Sequence, residues 1–347
     1  MGAPLVGLIV GLAIALAVIG LFWPGWGLVP RWRRATHTAE RVRVEDTMKH
    51  LYESEVNGAM PSMQSVAGAA RLSVDEAADV LQSLQRRRLI EMERDGIRLT
   101  ESGRELGLHV LRAHRLWESY LADQTGFPEP EWHGRAHDLE HGLSPAEVDA
   151  LSARLRNPTH DPHGDPIPTA TGEFAGQQGV PLSTAPVDQP LRILHMEDEP
   201  KAVYAQLVAV DLHPGMPVRV VEASPEQVRL LAGGSEHILT PLVAASVLVE
   251  PLAEEKAAEA PVGEPLSALR PGDSGRVVTI SRRCRGAERR RLLDLGVLPG
   301  TVIRAELRSP NGDPTAYRVR DALIALRAEQ AELIRVERLP AAAAAAA

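Results

Sequence analysis

The chain has 347 residues, which is too long for one ordinary hydrophobic core and predicts about two to three folded domains. Its formal net charge of −8 excludes a protein that is basic throughout, as many nucleic-acid-binding proteins are, although a single domain can still be basic. The single cysteine, Cys284, excludes an internal disulfide bond and is typical of a reducing compartment.

The N-terminus has the pattern of a membrane anchor. Residues 1–30 carry no charged side chain, and residues 5–23 are an apolar run of 19 residues that would extend ~28 Å as a helix. Aromatic and then basic side chains follow: Phe22, Trp23, Trp26, Arg31, Arg33 and Arg34. We therefore expect a single-pass helix in the inner (cytoplasmic) membrane, with the later domains in the cytoplasm. The alternative, a cleaved signal peptide, lacks its basic leader.

Residues 31–103 have the pattern of three helices and a hairpin. Apolar residues at helical spacing predict helices over residues 39–57, 63–70 and 74–87, and Ser73 is a suitable N-cap for the third. Two short apolar runs then flank Asp95-Gly96, a dipeptide typical of tight hairpin turns. This order predicts a winged helix-turn-helix domain.

Imidazoles and carboxylates concentrate in residues 104–168. Six of them lie at spacings that share a helix face within each group: His114 with Glu118, and His133, His137, Glu140 and His141. Burying such groups unpaired is costly, so a shared divalent cation is the economical explanation. The run H-x-x-E-H at residues 137–141 also matches the inverted zinc peptidases, which use the glutamate as a general base.

Further motifs give residues 39–168 a specific family resemblance. They are Glu45-Asp46, Leu51-Tyr52-Glu53, Arg88-Leu89-Ile90, and residues 97–103, 112–118, 133–141 and 161–168. In order and content these motifs resemble the iron- and manganese-dependent repressors of the diphtheria-toxin-repressor type. The resemblance implies a homodimer that binds duplex DNA in response to Fe²⁺ or Mn²⁺, and it leaves the peptidase as a minor alternative.

The resemblance also implies two metal sites. The primary, regulatory site falls on Asp46, His137, Glu140 and His141. The ancillary site falls on His114, Glu118 and His133. Three acidic residues of a later loop, Glu197, Asp198 and Glu199, are candidates to complete it, and we choose Glu199. The family usually has Cys or Glu where His137 stands. Because an imidazole there keeps all ligand atoms nitrogen or oxygen, the set still suits Fe²⁺ or Mn²⁺, and ligand type leaves Zn²⁺, Co²⁺ and Ni²⁺ open. His160, Asp161, His163 and Asp165 also suggest a further metal site, but their segment resembles the family's structural turn, and we favour the turn.

The third helix of the winged domain departs from the family. The candidates for DNA contacts there are Ser73, Asp79, Arg71, Arg86 and Arg94. The family uses small polar residues at the exposed start of this helix, whereas this chain has Asp75, Glu76 and Asp79, which phosphates repel. Residues 71–98 hold as many acidic as basic side chains, so DNA binding remains one hypothesis of two.

The C-terminal half predicts two small β-modules. We interpret residues 169–189 and 253–263 as linkers, residues 190–252 as an SH3-like barrel and residues 339–347 as a low-complexity tail. Residues 264–338 resemble the FeoA family of SH3-like proteins, which accompany the ferrous-iron transporter FeoB. That resemblance makes such a transporter a candidate partner.

These patterns predict a multidomain α+β protein: a transmembrane helix, a winged helix-turn-helix, a helical metal-binding dimerisation domain and two SH3-like barrels. We expect a membrane-tethered, metal-dependent transcriptional regulator of metal homeostasis rather than an enzyme. The second hypothesis keeps the anchor and the metal sites without DNA binding, and makes the chain a metal-sensing subunit of a ferrous-iron transporter.

Overall fold

The structure is a computed structural model that describes residues 28–93, 96–176, 179–252, 263–281 and 284–340. The chain divides into two compact units. The first comprises Met1–Ala113, Glu140–Val148 and Ala170–Gly172, and the second comprises His114–Leu139, Asp149–Thr169 and Glu173–Ala347.

Helices and one hairpin make up the first half of the chain. They are α1 (Leu28–Val56), α2 (Met63–Ala69), α3 (Val74–Arg86), β1 (Ile90–Glu93), β2 (Gly96–Leu99), α4 (Glu101–Gln124), α5 (Trp132–Glu140) and α6 (Pro145–Arg154). A 3₁₀ turn, Glu129–Glu131, leads into α5. The elements from α2 to β2 lie within a residue or so of their predicted bounds, whereas α1 begins earlier than predicted.

The core of the first unit forms where the helical periodicity places it. Of the apolar side chains at helical spacing on α1 and α3, Val80 is half-buried and the others are buried: Val44, Met48, Leu51, Tyr52, Ala77, Leu81 and Leu84. Ile90 of β1 pairs with Leu99 of β2 in an antiparallel hairpin, and both side chains are buried. Three helices and a hairpin in this order form the arrangement that the sequence predicts for a winged helix-turn-helix.

Helix α3 begins with a reciprocal cap. The Ser73 hydroxyl accepts a hydrogen bond from the Glu76 backbone N–H at 3.2 Å, and Glu76 Oε2 accepts one from the Ser73 backbone N–H at 2.9 Å. These contacts satisfy backbone donors that have no partner inside the helix.

Replacing Ser73 by alanine is expected to lower the free energy of unfolding by about 1 kcal/mol, because an N-cap acceptor is lost. Urea denaturation followed by circular dichroism measures this change. Ser83→Ala, on the same helix, is the matched control and should change stability by less than about 0.5 kcal/mol. Equal effects of the two substitutions would contradict a capping role for Ser73.

The second unit contains two modules, each an antiparallel sheet with two helices, and the two sheets have the same topology. The first consists of β3 (Val180–Pro181), β4 (Pro190–Met196), α7 (Lys201–Ala209), β5 (Pro217–Ala223), β6 (Val228–Ala232), β7 (Ser235–Leu239), α8 (Pro241–Ala245) and β8 (Val247–Pro251). The second consists of β9 (Glu264–Pro265), β10 (Ser274–Ile280), α9 (Gly286–Asp294), β11 (Val302–Arg308), β12 (Thr315–Val319), β13 (Ala322–Leu326), α10 (Ala328–Glu332) and β14 (Ile334–Leu339). Their strand orders, β3-β8-β4-β5-β6-β7 and β9-β14-β10-β11-β12-β13, correspond strand for strand. Each sheet encloses its own apolar core.

Two predicted boundaries need correction. The segment 169–189, predicted as a linker, contains β3, whose Val180 pairs with Val249 of β8. Strand β3 lies at the edge of its sheet, where the missing N–H of Pro181 is tolerated. The next residue, Leu182, is fully buried. Strand β14 runs to Leu339, so the predicted tail begins too early.

Nearly all of the predicted anchor, residues 1–27, lies outside the described residues. Residues 253–262 of the second predicted linker and the tail residues 341–347 also lie outside them. Within the described part of the chain, no helix combines the length and the apolar character needed to cross a bilayer.

Candidate metal centres

The first candidate centre lies where α1 meets the end of α5. Asp46 comes from α1, Glu140 is the last residue of α5, and His141 follows it directly. These three side chains, all in the first unit, offer ligand atoms within 4.8 Å of one another. The structure thus brings together three of the four residues predicted for the primary site, and the fourth, His137, belongs to the second unit.

His141 lies between two carboxylates of α1. Its Nδ1 is 2.7 Å from Glu45 Oε2, and its Nε2 is 3.3 Å from Asp46 Oδ1. Burial alone would lower the pKa of His141, but the hydrogen bonds with Asp46 and Glu45 and the charge of Glu140 raise it to about 9. Glu45 holds one ring nitrogen of His141 and thereby directs the other ring nitrogen toward Asp46, as outer carboxylates do for metal-bound histidines. The sequence analysis assigns Glu45 no such role.

A lysine also belongs to the first centre. Lys49 Nζ lies 2.9 Å from one oxygen of Glu140 and 3.1 Å from the other, and the Glu140 side chain is completely buried. Burial alone would lower the pKa of Lys49, but the charge and hydrogen bonds of Glu140, together with the charges of Glu53 and Asp46, raise that pKa. The ammonium group therefore stays charged beside a predicted metal ligand.

His141 does not lie on the helix face on which its spacing predicts it. The sequence predicts His133, His137, Glu140 and His141 on one helix face, but α5 ends at Glu140 and His141 lies in the turn that follows. Ser144 directly precedes α6, and its backbone N–H donates to Glu147 Oε2 at 2.8 Å. The chain must therefore leave α5 before Ser144, and His141 reaches Asp46 from a turn.

The second candidate centre lies in the second unit. His114 Nε2 of α4 and His133 Nδ1 of α5 each lie 3.1 Å from Glu118 Oε1. Burial would raise the pKa of Glu118, but the charges of His114 and His163 and the hydrogen bonds from His114 and His133 hold it well below its usual range. These are the residues predicted for the ancillary site.

Asp198 rather than Glu199 completes this second centre. Asp198 Oδ2 lies 2.7 Å from His133 Nδ1, whereas Glu199, which was the candidate, is half exposed and approaches only Nε2, at 3.6 Å. Neighbouring residues of the loop after β4 project in different directions, and sequence alone does not give the facing one. Burial would lower the pKa of His133, but its bonds to Asp198 and Glu118 raise it to about 10.

Both centres suit a first-row divalent cation. Each combines imidazole nitrogens with carboxylate oxygens, and several of these groups are buried: Asp46, Glu140, His114 and Glu118. Hard and borderline cations such as Mn²⁺, Fe²⁺ and Zn²⁺ accept such mixed nitrogen and oxygen donors. Buried carboxylates beside imidazoles are also the groups that a cation would stabilise.

The candidate DNA contacts lie on or beside α3. Arg71, Ser73, Asp79 and Arg86 are exposed, and Arg94 lies outside the described residues. The Ser73 hydroxyl donates to Glu76 Oε2 at 2.9 Å, so both residues already take part in the cap of α3. The cap explains Glu76, and Asp75 lies in the first turn of α3, where a carboxylate is favoured by the helix dipole. Asp79 is exposed one turn further along the helix.

Comparison with known protein families finds two domains. Residues 100–169 match the metal binding and dimerisation domain of the iron-dependent repressors, and residues 264–338 match the FeoA domain. Both resemblances expected from the sequence are confirmed. The iron-dependent repressor domain, residues 100–169, contains His114, Glu118 and His133 of the second centre and Glu140 and His141 of the first.

Individual relatives agree with this assignment. The iron-dependent repressor IdeR of Mycobacterium tuberculosis (strain H37Rv) is 34% identical over 122 residues, which cover 35% of this chain and 53% of that protein. The chain therefore spans about half the length of that curated relative. IdeR of Mycobacterium leprae is 26% identical over 208 residues, covering 56% of this chain and 90% of its own length.

Solved structures show the same fold. A manganese-dependent transcriptional repressor in complex with manganese matches with a TM-score of 0.54 at 23% identity, covering 59% of this chain and 100% of its own. At that identity the match establishes the fold and no more. It places this chain in the mixed α+β fold of these repressors, with a helical dimerisation domain and β-sheet domains.

Proposed function

We propose that this chain is a homodimeric, DNA-binding transcriptional regulator that responds to Fe²⁺ or Mn²⁺. One observation carries the proposal: Asp46, on the first helix of the winged domain, shares a group of potential metal ligands with Glu140 and His141. The relatives support it, since they are named as iron- and manganese-dependent repressors.

The mechanism follows from the position of α1. A cation held by Asp46 and by Glu140 and His141 would fix α1 against residues 140–141. Because the buried faces of α1 and α3 belong to one core, the position of α3 would follow that of α1. Metal shifts this equilibrium only by its differential affinity for the two arrangements. In a dimer, the two α3 helices would be set about 34 Å apart, one turn of DNA.

Genome-wide DNA capture with and without Fe²⁺ or Mn²⁺ tests the proposal. We expect metal to increase occupancy at a limited set of sites. In parallel, a variant that lacks residues 1–30 tests the membrane anchor that the sequence predicts. This variant should bind the same DNA sites but should no longer be found in the membrane fraction. Absence of any specific complex at low salt, with or without metal, would reject DNA binding.

A second candidate function is favoured by the acidic surface of α3 and by the FeoA domain. In it the chain is a membrane-anchored, metal-sensing subunit of a ferrous-iron transporter and binds no DNA. Asp75 and Asp79 are exposed on α3, where a helix that reads DNA would face phosphates.

Replacing Asp75 and Asp79 together by serine separates the two functions. If α3 faces DNA, the double variant should bind duplex DNA roughly 30-fold more tightly, since each of the two lost carboxylates removes on the order of 1 kcal/mol of repulsion. Fluorescence anisotropy at several salt concentrations with saturating Mn²⁺ measures this change. The matched control, Asp294→Ser with Asp321→Ser, alters net charge equally at exposed positions of the FeoA domain. Unchanged affinity in both would favour the transporter subunit.

The inverted zinc peptidase is the least supported function. A general base must reach a water molecule, but the Glu140 carboxylate is completely buried and both its oxygens accept from Lys49. His141 also lies beyond the end of α5, whereas the motif requires it on the same helix as His137.

A further inference from the structure

Both small modules of the second unit contact α4 and α5 through the same part of their fold, the loop and helix that follow the second strand. In the first module, Asp198 of the loop before α7 lies 2.7 Å from His133 Nδ1 of α5. Tyr204 of α7 donates a hydrogen bond to Glu129, in the 3₁₀ turn before α5. In the FeoA domain the corresponding segment is Arg285, which precedes α9, and the start of α9 itself. The FeoA domain thus repeats a contact that in the first module reaches the second metal centre.

Gly286, the first residue of α9, lies against the backbone at the end of α4. A Cβ atom at this position would overlap the carbonyl oxygen of Thr125, the residue that follows α4. Gly286 also has a φ of +56°, a left-handed conformation that glycine adopts without strain. The end of α4 carries partial negative charge and the start of α9 partial positive charge, so this contact is electrostatically favourable. The contact requires glycine, because a larger side chain must move the FeoA domain away from α4.

Two arginines of the FeoA domain flank this contact. The central carbon of the Arg285 guanidinium group lies over the Trp132 ring, 5.3 Å from its centroid. Arg290 Nη2 donates a hydrogen bond of 2.9 Å to the side-chain oxygen of Gln124, the last residue of α4. A cation is stabilised beside an aromatic face and also beside the C-terminal end of a helix. Both arginines therefore hold the FeoA domain against α4 and the start of α5.

The surface that the FeoA domain contacts is the junction between the two helices that carry the second centre. Trp132 is 4% exposed and belongs to one buried cluster with Leu121 and Ala122 of α4. It directly precedes His133, and Leu121 lies about one turn after Glu118 on α4. Glu118 Oε1 and His133 Nδ1 are 3.1 Å apart across this junction. The spacing of these two ligands therefore depends on how the junction packs.

We propose that the FeoA domain is a positioning element of the second metal centre: it holds the junction of α4 and α5 so that Glu118 and His133 face one cation. This role goes beyond the proposed function, which requires only the centre around Asp46. Because coupling between two binding events is reciprocal, a metal ion in this centre and docking of the FeoA domain strengthen each other. A partner protein that engages the start of α9 would therefore weaken metal binding at the second centre.

Gly286→Val tests this role in the full-length chain, because a valine side chain cannot fit against Thr125. Calorimetric titration with Mn²⁺ should show the second centre weakened by about 10–100-fold, the usual effect of losing a group that orients metal ligands. An Asp46→Ala background, which lacks a ligand of the first centre, isolates the second. The matched control is Gly312→Val, at a FeoA-domain glycine with a φ of +89° and no atom of the described residues within 4 Å of an added Cβ. It should bind Mn²⁺ as its parent does.

The double variant Arg285→Ala with Arg290→Ala separates positioning from charge. Loss of two cations near a metal centre would strengthen Mn²⁺ binding through charge alone, whereas loss of positioning weakens it. We expect weaker binding at the second centre and unchanged binding at the first, which a His114→Ala background isolates. Arg276→Ala with Arg304→Ala, at exposed positions of the same domain, is the charge-matched control and should not weaken Mn²⁺ binding.

Unchanged or tighter Mn²⁺ binding at the second centre in the double arginine variant overturns the proposal. Equal weakening by Gly286→Val and Gly312→Val also overturns it, as does wild-type affinity in a folded Gly286→Val. If circular dichroism shows that Gly286→Val does not fold, the double arginine variant decides alone. Neither measurement involves DNA, so the outcome is independent of the proposed function.

Discussion

Replacement of Asp46 by alanine is expected to weaken metal binding at the first centre by at least about 100-fold and to abolish the metal response of DNA binding. The loss of an outer-shell partner alone typically weakens metal binding 10–100-fold, so the loss of a ligand should have at least the larger effect. Glu140 and His141 are adjacent in the chain, and a metal ion that they hold without Asp46 has no ligand on α1. The variant should therefore lose the response even at metal concentrations that fill the remaining ligands.

Calorimetric titration with Mn²⁺ and metal-titrated DNA anisotropy measure the two effects separately. The matched control is Asp138→Ala, which removes an exposed aspartate of α5 beside His137 and should leave both measurements unchanged. Retention of wild-type metal affinity in Asp46→Ala would exclude Asp46 as a ligand. Retention of the DNA response with weakened affinity would exclude the link through α1.

The sequence predicts the local parts of these centres well because helical periodicity is a local property. His114 and Glu118 lie one turn apart on α4, and His137 and Glu140 lie one turn apart on α5, as their spacings require. The burial of Val44 and Met48 on α1 follows from the same periodicity. The membership of Asp46 came from the family resemblance, since no spacing rule connects it with residues so far along the chain.

The remaining parts depend on tertiary contacts that no local pattern encodes. Glu45 meets His141 across 96 residues of sequence, and Lys49 meets Glu140 across 91. The choice of Asp198 over Glu199 depends on the path of one loop after β4.

Lys49→Met is expected to tighten Mn²⁺ binding at the first centre by at least about tenfold. The Lys49 ammonium group lies within 3.1 Å of both Glu140 oxygens, so a metal ion must displace it or bind beside it. Two unit charges about 4 Å apart repel by about 4 kcal/mol at an effective dielectric constant near 20, and a divalent ion doubles the effect. Even a small part of that energy exceeds the roughly 1.4 kcal/mol that corresponds to a factor of ten.

The same substitution should act in the opposite direction on the metal-free protein. Without Lys49 the buried Glu140 carboxylate has lost its ammonium partner, which typically lowers the free energy of unfolding by about 3–5 kcal/mol. Thermal unfolding with and without Mn²⁺ should therefore show a less stable metal-free variant that metal stabilises more than it stabilises the wild type. Lys49→Arg keeps the charge and should bind Mn²⁺ as weakly as the wild type does, and Lys201→Met removes an exposed lysine as a second control. Weaker Mn²⁺ binding by Lys49→Met would mean that the lysine supports the site instead of competing for it.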